Sequence, residues 1–260
     1  MLRKAPLVLA ALAVAGCAPA STRAPGAETR LAEDVTVRRI APGLWVHTTT
    51  ATTRSFGSVP ANGMLLETED GSLLVDTGWD ERQGQLLLDW ASRTLGKPVR
   101  RAVVTHSHED RTGGAQAMRR AGIPVVGLAA TARLTGEAAG IQALPGLESA
   151  PVEVGGAEVF FPGHGHTPDN VVVYFPRQRV LFGGCLVKAD TATTVGNVAD
   201  ADVPGWPGVV ERVRERYPRL SAVVPGHGAV SGPAALRVTQ TVVREKGPAA
   251  VEALRRAQPR

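Results

Sequence analysis

Cysteine and aromatic residues are scarce in this chain of 260 residues. There are two cysteines, Cys17 and Cys185, and the first of them directly follows an apolar N-terminal segment. A fold held together by several disulfides is therefore excluded. Aromatic residues make up 4% of the chain and hydrophobic residues 43%, so valine, leucine and alanine must fill most of the core. That much apolar material is enough for one large domain or two small ones.

Long apolar runs and basic runs are missing as well. The N-terminal apolar run, residues 7–15, is too short to span a membrane as a permanent helix. Residues 1–16 include two of the 29 basic residues, so 27 basic and 24 acidic residues remain after them. Because no basic stretch is interleaved with aromatic residues, we expect no nucleic-acid partner. The Ser-x-x-Lys signature of one group of serine hydrolases is also missing after residue 16.

The N-terminus has the pattern of an export signal. Arg3 and Lys4 precede the apolar run, which ends in Val14-Ala15-Gly16-Cys17. Small residues directly before a cysteine resemble the lipobox of bacterial lipoproteins, in which the signal is cut before a cysteine that then carries lipid. The alternative is an ordinary signal peptide in which the cysteine occurs by chance.

This pattern predicts three segments. Residues 1–16 are the lipoprotein signal peptide, residues 17–33 are the lipidated cysteine with a flexible tether, and residues 34–260 are the folded domain. We therefore expect a periplasmic protein held on a membrane through a lipid on Cys17. Ala18 after that cysteine favours the outer membrane, by analogy with other lipoproteins.

The most informative segment is Thr105-His106-Ser107-His108-Glu109-Asp110, which follows an apolar run at residues 99–104 that is typical of a strand. Two imidazoles at positions i and i+2 and a carboxylate at i+4 form a compact set of donors. Neutral imidazole nitrogen and carboxylate oxygen are good ligands for zinc. A purely structural role for all of His106, His108 and Asp110 is disfavoured because the three donors are clustered.

Further donors lie in turn-like segments later in the chain. They are His166 in Gly-His-Gly-His-Thr, Cys185 in Gly-Gly-Cys and His227 in Pro-Gly-His-Gly. Six donors in four loops suffice for two zinc ions with positions left open for water and substrate. A lone histidine is more often a surface residue or a satisfied core residue. We interpret His47 in this way and not as a ligand, and we expect His164 to be exposed to solvent.

The remaining pattern indicates two halves that each run from strands to helices. Asp70-Gly71 between two apolar runs predicts a hairpin. Strands are expected at residues 35–37, 44–46, 62–67, 72–76, 99–105, 152–154, 158–161, 170–175, 179–182 and 222–224. Helices are expected at residues 81–95, 114–121, 207–216 and 233–245, with a second short one at 248–257. Each half places donors at strand ends, which predicts two facing sheets with helices outside.

These motifs resemble the metallo-β-lactamase superfamily. His106-Ser107-His108-Glu109-Asp110 matches its HxHxD signature, and the resemblance covers about residues 35–250. The resemblance implies an α/β fold, the four-layer αββα sandwich of that family. Arg111 stands where the glyoxalase II and RNase Z branches carry another histidine, and Cys185 stands where they use a bridging aspartate. This set is similar to the class B β-lactamases that have a three-histidine zinc site beside an Asp-Cys-His zinc site.

The resemblance implies a role for each matching residue. The first zinc would be held by His106, His108 and His166, and the second by Asp110, Cys185 and His227, which gives two Zn²⁺ per monomer. Asp110 would also orient groups in catalysis. Lys188 would pair with the substrate carboxylate, although it could also be a surface charge. Asn197 would lie near the lactam carbonyl, although Gly-Asn is also a common turn.

Other parts of the chain fit the same family resemblance. Residues 51–60, with Phe56 and Val59, match a hairpin loop that covers the substrate, and Trp79 would line the floor of the site or belong to the core. Arg111 and Asp76 are candidates for holding the ligand loop from behind, although each could equally be an ordinary salt-bridge or turn residue.

The function implied by the resemblance is zinc-dependent hydrolysis of the amide bond of β-lactam antibiotics by a monomer. Penicillins and cephalosporins are the expected substrates, together with carbapenems. Two alternatives remain open: another hydrolase of the same fold acting on a thioester or phosphodiester, and a zinc-binding lipoprotein without catalysis.

Overall fold

The structure is a computed structural model, which describes residues 26–257 of the chain. Its strands form two sheets that pack face to face. The first sheet has the spatial order β1 (Glu28–Ala32), β2 (Val35–Ala41), β3 (Leu44–Thr53), β4 (Gly57–Glu67), β5 (Ser72–Val75), β6 (Val99–Val103), β7 (Val125–Gly127) and β8 (Ile141–Ala143). The second has the order β13 (Ala222–Pro225), β12 (Val180–Gly184), β11 (Val172–Phe175), β10 (Ala157–Phe160) and β9 (Val152–Val154).

The first sheet changes from antiparallel to parallel pairing at β5, where helical crossovers begin. The second sheet is antiparallel except for the parallel pair β12 and β13. The helices are α1 (Glu81–Asp89) with a π-helical end (Trp90–Thr94), α2 (Glu109–Thr112), α3 (Ala115–Arg120), α4 (Ala129–Thr135) with a 3₁₀ turn (Glu137–Ala139), α5 (Trp206–Arg216) and α6 (Ala234–Ala257). Among residues 26–257, none of these helices combines the length and apolar character needed to cross a bilayer.

The hydrophobic residues form three layers of core. Along β3, Leu44 and Val46 belong to the cluster between the two sheets, whereas Trp45 belongs to the cluster under α1 and α3. Alternate side chains of a strand point to opposite faces of the sheet, so one central strand contributes to two cores. A third cluster lies between the second sheet and helices α5 and α6. The predicted αββα sandwich is therefore confirmed.

The predicted start of the folded domain at residue 34 is corrected. Residues Glu28–Ala32 form β1, which pairs antiparallel with β2, and Leu31 packs against the core beneath α1. The segment looked like a tether because charged and small residues separate its few apolar positions. The predicted signal peptide and Cys17 lie outside the described residues.

The predicted break near the C-terminus is also wrong. One helix, α6, runs continuously from Ala234 to Ala257 with Pro248 inside it. Proline removes a single helical hydrogen bond, but the apolar side chains on both sides of it, including Val243 and Leu254, contact the same core. Packing of this face offsets the cost of the proline. Strands β7 and β8, with three residues each, were not predicted.

Candidate metal centre

The predicted donors meet at one edge of the two sheets. His106 follows β6, Cys185 follows β12 and His227 follows β13, while His166 lies in the loop that leads into β11. Asp110 belongs to the short helix α2, directly after the loop that holds His108. The loops approach each other closely: a Cβ atom on Gly226 would lie 2.7 Å from the backbone nitrogen of Cys185. Only glycine allows this contact between the loops after β12 and β13.

Asp110, Cys185 and His227 form one compact set. Cys185 Sγ lies 3.2 Å from His227 Nε2 and 3.7 Å from Asp110 Oδ2. His227 Nε2 lies 3.3 Å from the same carboxylate oxygen. A sulfur, a nitrogen and an oxygen that converge in this way are suited to a zinc ion with an open fourth position.

The imidazoles of His106, His108 and His166 form the adjacent set. Their ring centroids are 4.7, 5.0 and 5.1 Å apart, and each pair is close to perpendicular. Donor atoms of His106, His166 and Cys185 also lie within 4.8 Å of one another, so the two sets share a boundary. The structure thus brings together all six donors predicted from the sequence.

The hydrogen bonds of the ring nitrogens leave at least one nitrogen of each of the four histidines available to a metal ion. His227 Nδ1 donates to Pro60 O at 2.8 Å, which leaves Nε2 beside Asp110 and Cys185. His108 Nε2 is 2.9 Å from Asp200 Oδ2, which leaves Nδ1. Within residues 26–257, the buried Nε2 of His106 and both ring nitrogens of His166 have no hydrogen-bond partner. Buried nitrogens without partners are costly, and a metal ion would satisfy them, so the residues fit zinc.

Burial supports the same interpretation. It lowers the pKa of His106 and His166 well below the usual value, so both rings are neutral and able to ligate. Burial also opposes a charge on His227, but the negative charge of Cys185 and the Asp110 carboxylate raise its pKa to about 9. A cation is thus favoured at the Asp-Cys-His set, either as a proton on His227 or as a metal.

Arg111 lies directly behind this set and is completely buried. Its Nη2 is 2.7 Å from Asp110 Oδ2 and donates to Cys185 Sγ at 3.0 Å, while Nη1 donates to Asp76 Oδ2 at 3.2 Å. Backbone oxygens of Asn62 and Gly226 accept further hydrogen bonds. Although burial opposes the charge on Asp110, the guanidinium holds the pKa of that carboxyl well below its usual range. Arg111 therefore holds two donors in place, as predicted.

Asp76 supports the ligand loop from the end of β5. Its carboxylate accepts hydrogen bonds from Thr105 N at 2.7 Å and Thr105 Oγ1 at 3.0 Å, directly before His106. Burial raises the pKa of Asp76 to about 6, although Arg111 opposes this change. Its φ of 60° is rare for a residue other than glycine and places the carboxylate against the loop. Asp76 therefore acts on His106 through Thr105.

A groove of about 550 Å³ lies over the donors. The turn between β3 and β4 borders it with Phe56, which is 58% exposed, and Trp79, Lys188 and Asn197 also line it. His164 is exposed, as predicted, and its Nε2 is 2.8 Å from Asp200 O. His47 is a core residue: it is buried, and its Nε2 is 3.1 Å from both Val75 O and Asp76 O.

Several supporting residues were not predicted. Asn62 donates to the backbone oxygens of Pro225 and Gly228 on either side of His227, at 3.0 and 2.7 Å. Asp200 contacts His108, as described above. No local motif marks these residues, because the contacts join segments that lie 92 to 166 positions apart.

Comparisons with known proteins agree with this geometry. Residues 57–227 match the family model of the metallo-beta-lactamase superfamily. The chain is 38% identical over 199 residues to the metallo-beta-lactamase type 2 of Bacillus cereus, covering 75% of this chain and 77% of that protein. The protein therefore belongs to the metallo-beta-lactamase superfamily.

Solved structures give the same result. A metallo-beta-lactamase from Pontibacter korlensis has a TM-score of 0.75 and 39% identity, covering 82% of this chain and all of that one. The metallo-beta-lactamase FIM-1 from Pseudomonas aeruginosa, solved in a mono-zinc form, has a TM-score of 0.77 and 35% identity, covering 83% and 98% of the two chains.

Proposed function

We propose that the protein hydrolyses the amide bond of β-lactam antibiotics, using two zinc ions held by His106, His108 and His166 and by Asp110, Cys185 and His227. The observation that carries the proposal is that the Asp-Cys-His set adjoins the three imidazoles beneath one open groove. Zinc closed by four protein ligands is typical of structural sites, whereas three protein ligands leave a position for reaction. The curated relatives that match most of the chain are metallo-beta-lactamases.

When bound, zinc supplies Lewis acidity and activates water at neutral pH. The residues of this chain prepare the site for that chemistry. Arg111 keeps Asp110 ionised, and neutral His106 and His166 present nitrogen lone pairs. Asp110 orients its neighbours and can relay a proton between water and the leaving nitrogen. Phe56 and Trp79 line the groove with apolar surface that limits the access of water.

Lys188 and Asn197 act on the substrate in this proposal. The ammonium of Lys188 pairs with the carboxylate that most β-lactams carry next to the lactam ring. Asn197 Oδ1 accepts a hydrogen bond from Ala199 N at 3.0 Å, which leaves the amide group to donate to the lactam carbonyl. Both residues line the groove, on the loops after β12.

The test is a comparison of substrates with and without metal. Purified protein should hydrolyse the chromogenic cephalosporin nitrocefin, lose this activity on dialysis against a chelator and regain it with zinc. A thioester and a phosphodiester should be cleaved far more slowly. Faster cleavage of either of them would favour another hydrolase of this fold, and bound zinc without any turnover would favour a non-catalytic protein.

We also propose that the mature protein is a monomer anchored on the periplasmic face of the outer membrane by a lipid on Cys17. The supporting observation is the run Val14-Ala15-Gly16-Cys17 at the end of a short apolar segment. Two acyl chains are sufficient for stable anchoring. The native protein should fractionate with outer membranes, whereas Cys17→Ala should be released or remain unprocessed. Light scattering of protein without residues 1–25 should give the mass of a single chain.

A further inference from the structure

We propose that Trp206 is a positioning residue that fixes the ammonium of Lys188 at the edge of the groove and couples it to His166. This inference rests on the proposed function, because it assigns the way in which the substrate-binding cation is oriented. Trp206 does not line the groove and contributes no donor to the metal centre.

The indole of Trp206 is held rigidly. It is the first residue of α5, has no solvent-exposed surface and is among the largest fully buried side chains of residues 26–257. Its Nε1 donates to Leu186 O at 2.8 Å, in the segment that joins Cys185 to Lys188. The backbone of Lys188 is fixed separately, because its nitrogen donates to Thr239 Oγ1 at 2.9 Å. The indole ring and the backbone of Lys188 are thus each held by a hydrogen bond of their own.

The ammonium of Lys188 lies over the face of this ring, with Nζ 5.0 Å from the centroid. A cation within about 6 Å of an indole face is attracted by its quadrupole. The attraction matters here because burial lowers the pKa of Lys188, which disfavours its charged form. The ring face therefore offers the charge a favourable position beside the groove without consuming one of its hydrogen bonds.

The same indole packs against the metal centre. Its centroid is 5.5 Å from that of His166. Gly165 makes the approach possible, since a Cβ at that position would lie 2.5 Å from Leu186 Cδ1 and 3.2 Å from the indole. One rigid ring thus contacts a zinc donor on one side and the substrate-binding cation on the other. The ring therefore sets the distance between the Lys188 ammonium, which binds the substrate carboxylate, and the lactam amide bond that is cleaved.

The first test needs no turnover. The chain has four lysines, so zinc-loaded protein can be treated with an acetylating reagent and each site followed by mass spectrometry. In Trp206→Met, the labelling rate of Lys188 relative to exposed Lys246 should increase about three- to tenfold, the range that a cation–π contact of this kind corresponds to. Trp206→Phe keeps an aromatic face and should change the ratio by less than about twofold. An unchanged ratio in Trp206→Met would overturn the inference.

Kinetics provide the second test. With a carboxylate-bearing lactam, Trp206→Met should raise KM about three- to tenfold and lower kcat less. Combined with Lys188→Ala, it should add no further increase in KM, because both changes remove one interaction. If the two substitutions raised KM independently, so that their effects multiplied in the double variant, the coupling between Trp206 and Lys188 would be contradicted. The wild type could fail to hydrolyse any lactam while Trp206→Met still raises the labelling of Lys188. That result would reject the proposed function but retain the contact between Trp206 and Lys188.

Two controls separate positioning from a general loss of packing. Trp90→Met removes a buried tryptophan from the core under α1, so it should lower stability without changing the labelling of Lys188. The second control substitutes the other partner of the contact, Lys188, and leaves Trp206 unchanged. Lys188→Met should shift one of the four indole N–H resonances in a ¹⁵N spectrum, whereas Lys246→Met, at an exposed lysine of α6, should shift none of them. Four unmoved resonances in Lys188→Met would count against the contact even where Trp206→Met does not fold.

Discussion

Arg111 shows how one residue prepares the metal centre. Its guanidinium is completely buried and contacts Asp110, Asp76 and Cys185. Burial opposes its charge, but Asp110 and Cys185 more than offset this and raise its pKa. A histidine at this position would supply one more donor, whereas arginine supplies a fixed positive charge that keeps the Asp110 carboxylate ionised and donates a hydrogen bond to Cys185 Sγ. Arg111 thus favours ligation by Asp110 and Cys185 without competing for the metal.

Arg111→Ala should therefore weaken the second site strongly. Removing one partner of a buried charge pair costs about 3–5 kcal/mol of stability, because the other charge is left unpaired. Urea unfolding of chelator-treated protein should show this loss, and competition with a zinc chelator should show lower affinity. Arg82→Ala, which breaks the exposed pair with Asp34, is the matched control and should cost less than about 1 kcal/mol. Equal losses in the two variants would contradict the account.

His47 affects stability at acid pH. Burial lowers its pKa to about 4 in the folded protein, against an ordinary value of 6.5, despite its contacts with Val75 O and Asp76 O. Between pH 6.5 and 4 the unfolded chain therefore binds a proton that the folded chain does not. The contribution to stability is complete above pH 6.5 and is lost as the pH falls through this window.

The expected effect can be isolated by substitution. Between pH 7 and pH 5 the chelator-treated wild type should lose about 2 kcal/mol more free energy of unfolding than His47→Gln. His164→Gln, at an exposed histidine, should behave as the wild type does. Parallel pH profiles for wild type and His47→Gln would show that His47 is not held neutral by burial.

At the scale of elements, the sequence predicts the long periodic segments well. Helices α1 and α5 and the strands that lead to the donors lie close to the expected residues, because apolar periodicity and flanking turn residues coincide there. The sequence fails to predict those elements whose formation depends on tertiary packing. β1 needs β2 as a partner, and α6 continues through Pro248 because its apolar face contacts one core. Neither effect is visible in a local window.

Two helical glycines show the same competition between local preference and packing. A Cβ on Gly208 in α5 would meet open space, whereas a Cβ on Gly247 in α6 would lie 2.5 Å from Val203 Cγ1. Gly208→Ala should raise stability by about 0.5–1 kcal/mol through helix propensity. Gly247→Ala should lower it by about 1–3 kcal/mol through overpacking. Thermal unfolding of both variants tests this, and stabilisation by both would show that propensity outweighs packing in α6.

At the scale of the whole molecule, the fold brings together donors that the chain keeps far apart. All six candidate donors can be identified from the sequence, since His106, His108 and Asp110 follow an apolar run, whereas His166, Cys185 and His227 stand beside glycine. It cannot show that Asn62, Asp200 and Trp206 support them, because those contacts arise only when two sheets and their outer helices pack. Donor identity is therefore a local property of the chain, whereas support for the donors is a property of the fold.

We propose that this chain forms a two-zinc β-lactam hydrolase, and a zinc titration can decide whether it does. Zinc is added stepwise to chelator-treated protein, and bound zinc and nitrocefin hydrolysis are recorded at each step. We expect no hydrolysis without zinc and full activity at two equivalents, with Cys185→Ser retaining tight binding of only one. Hydrolysis that persists without metal, or that is complete at a single equivalent, would contradict it.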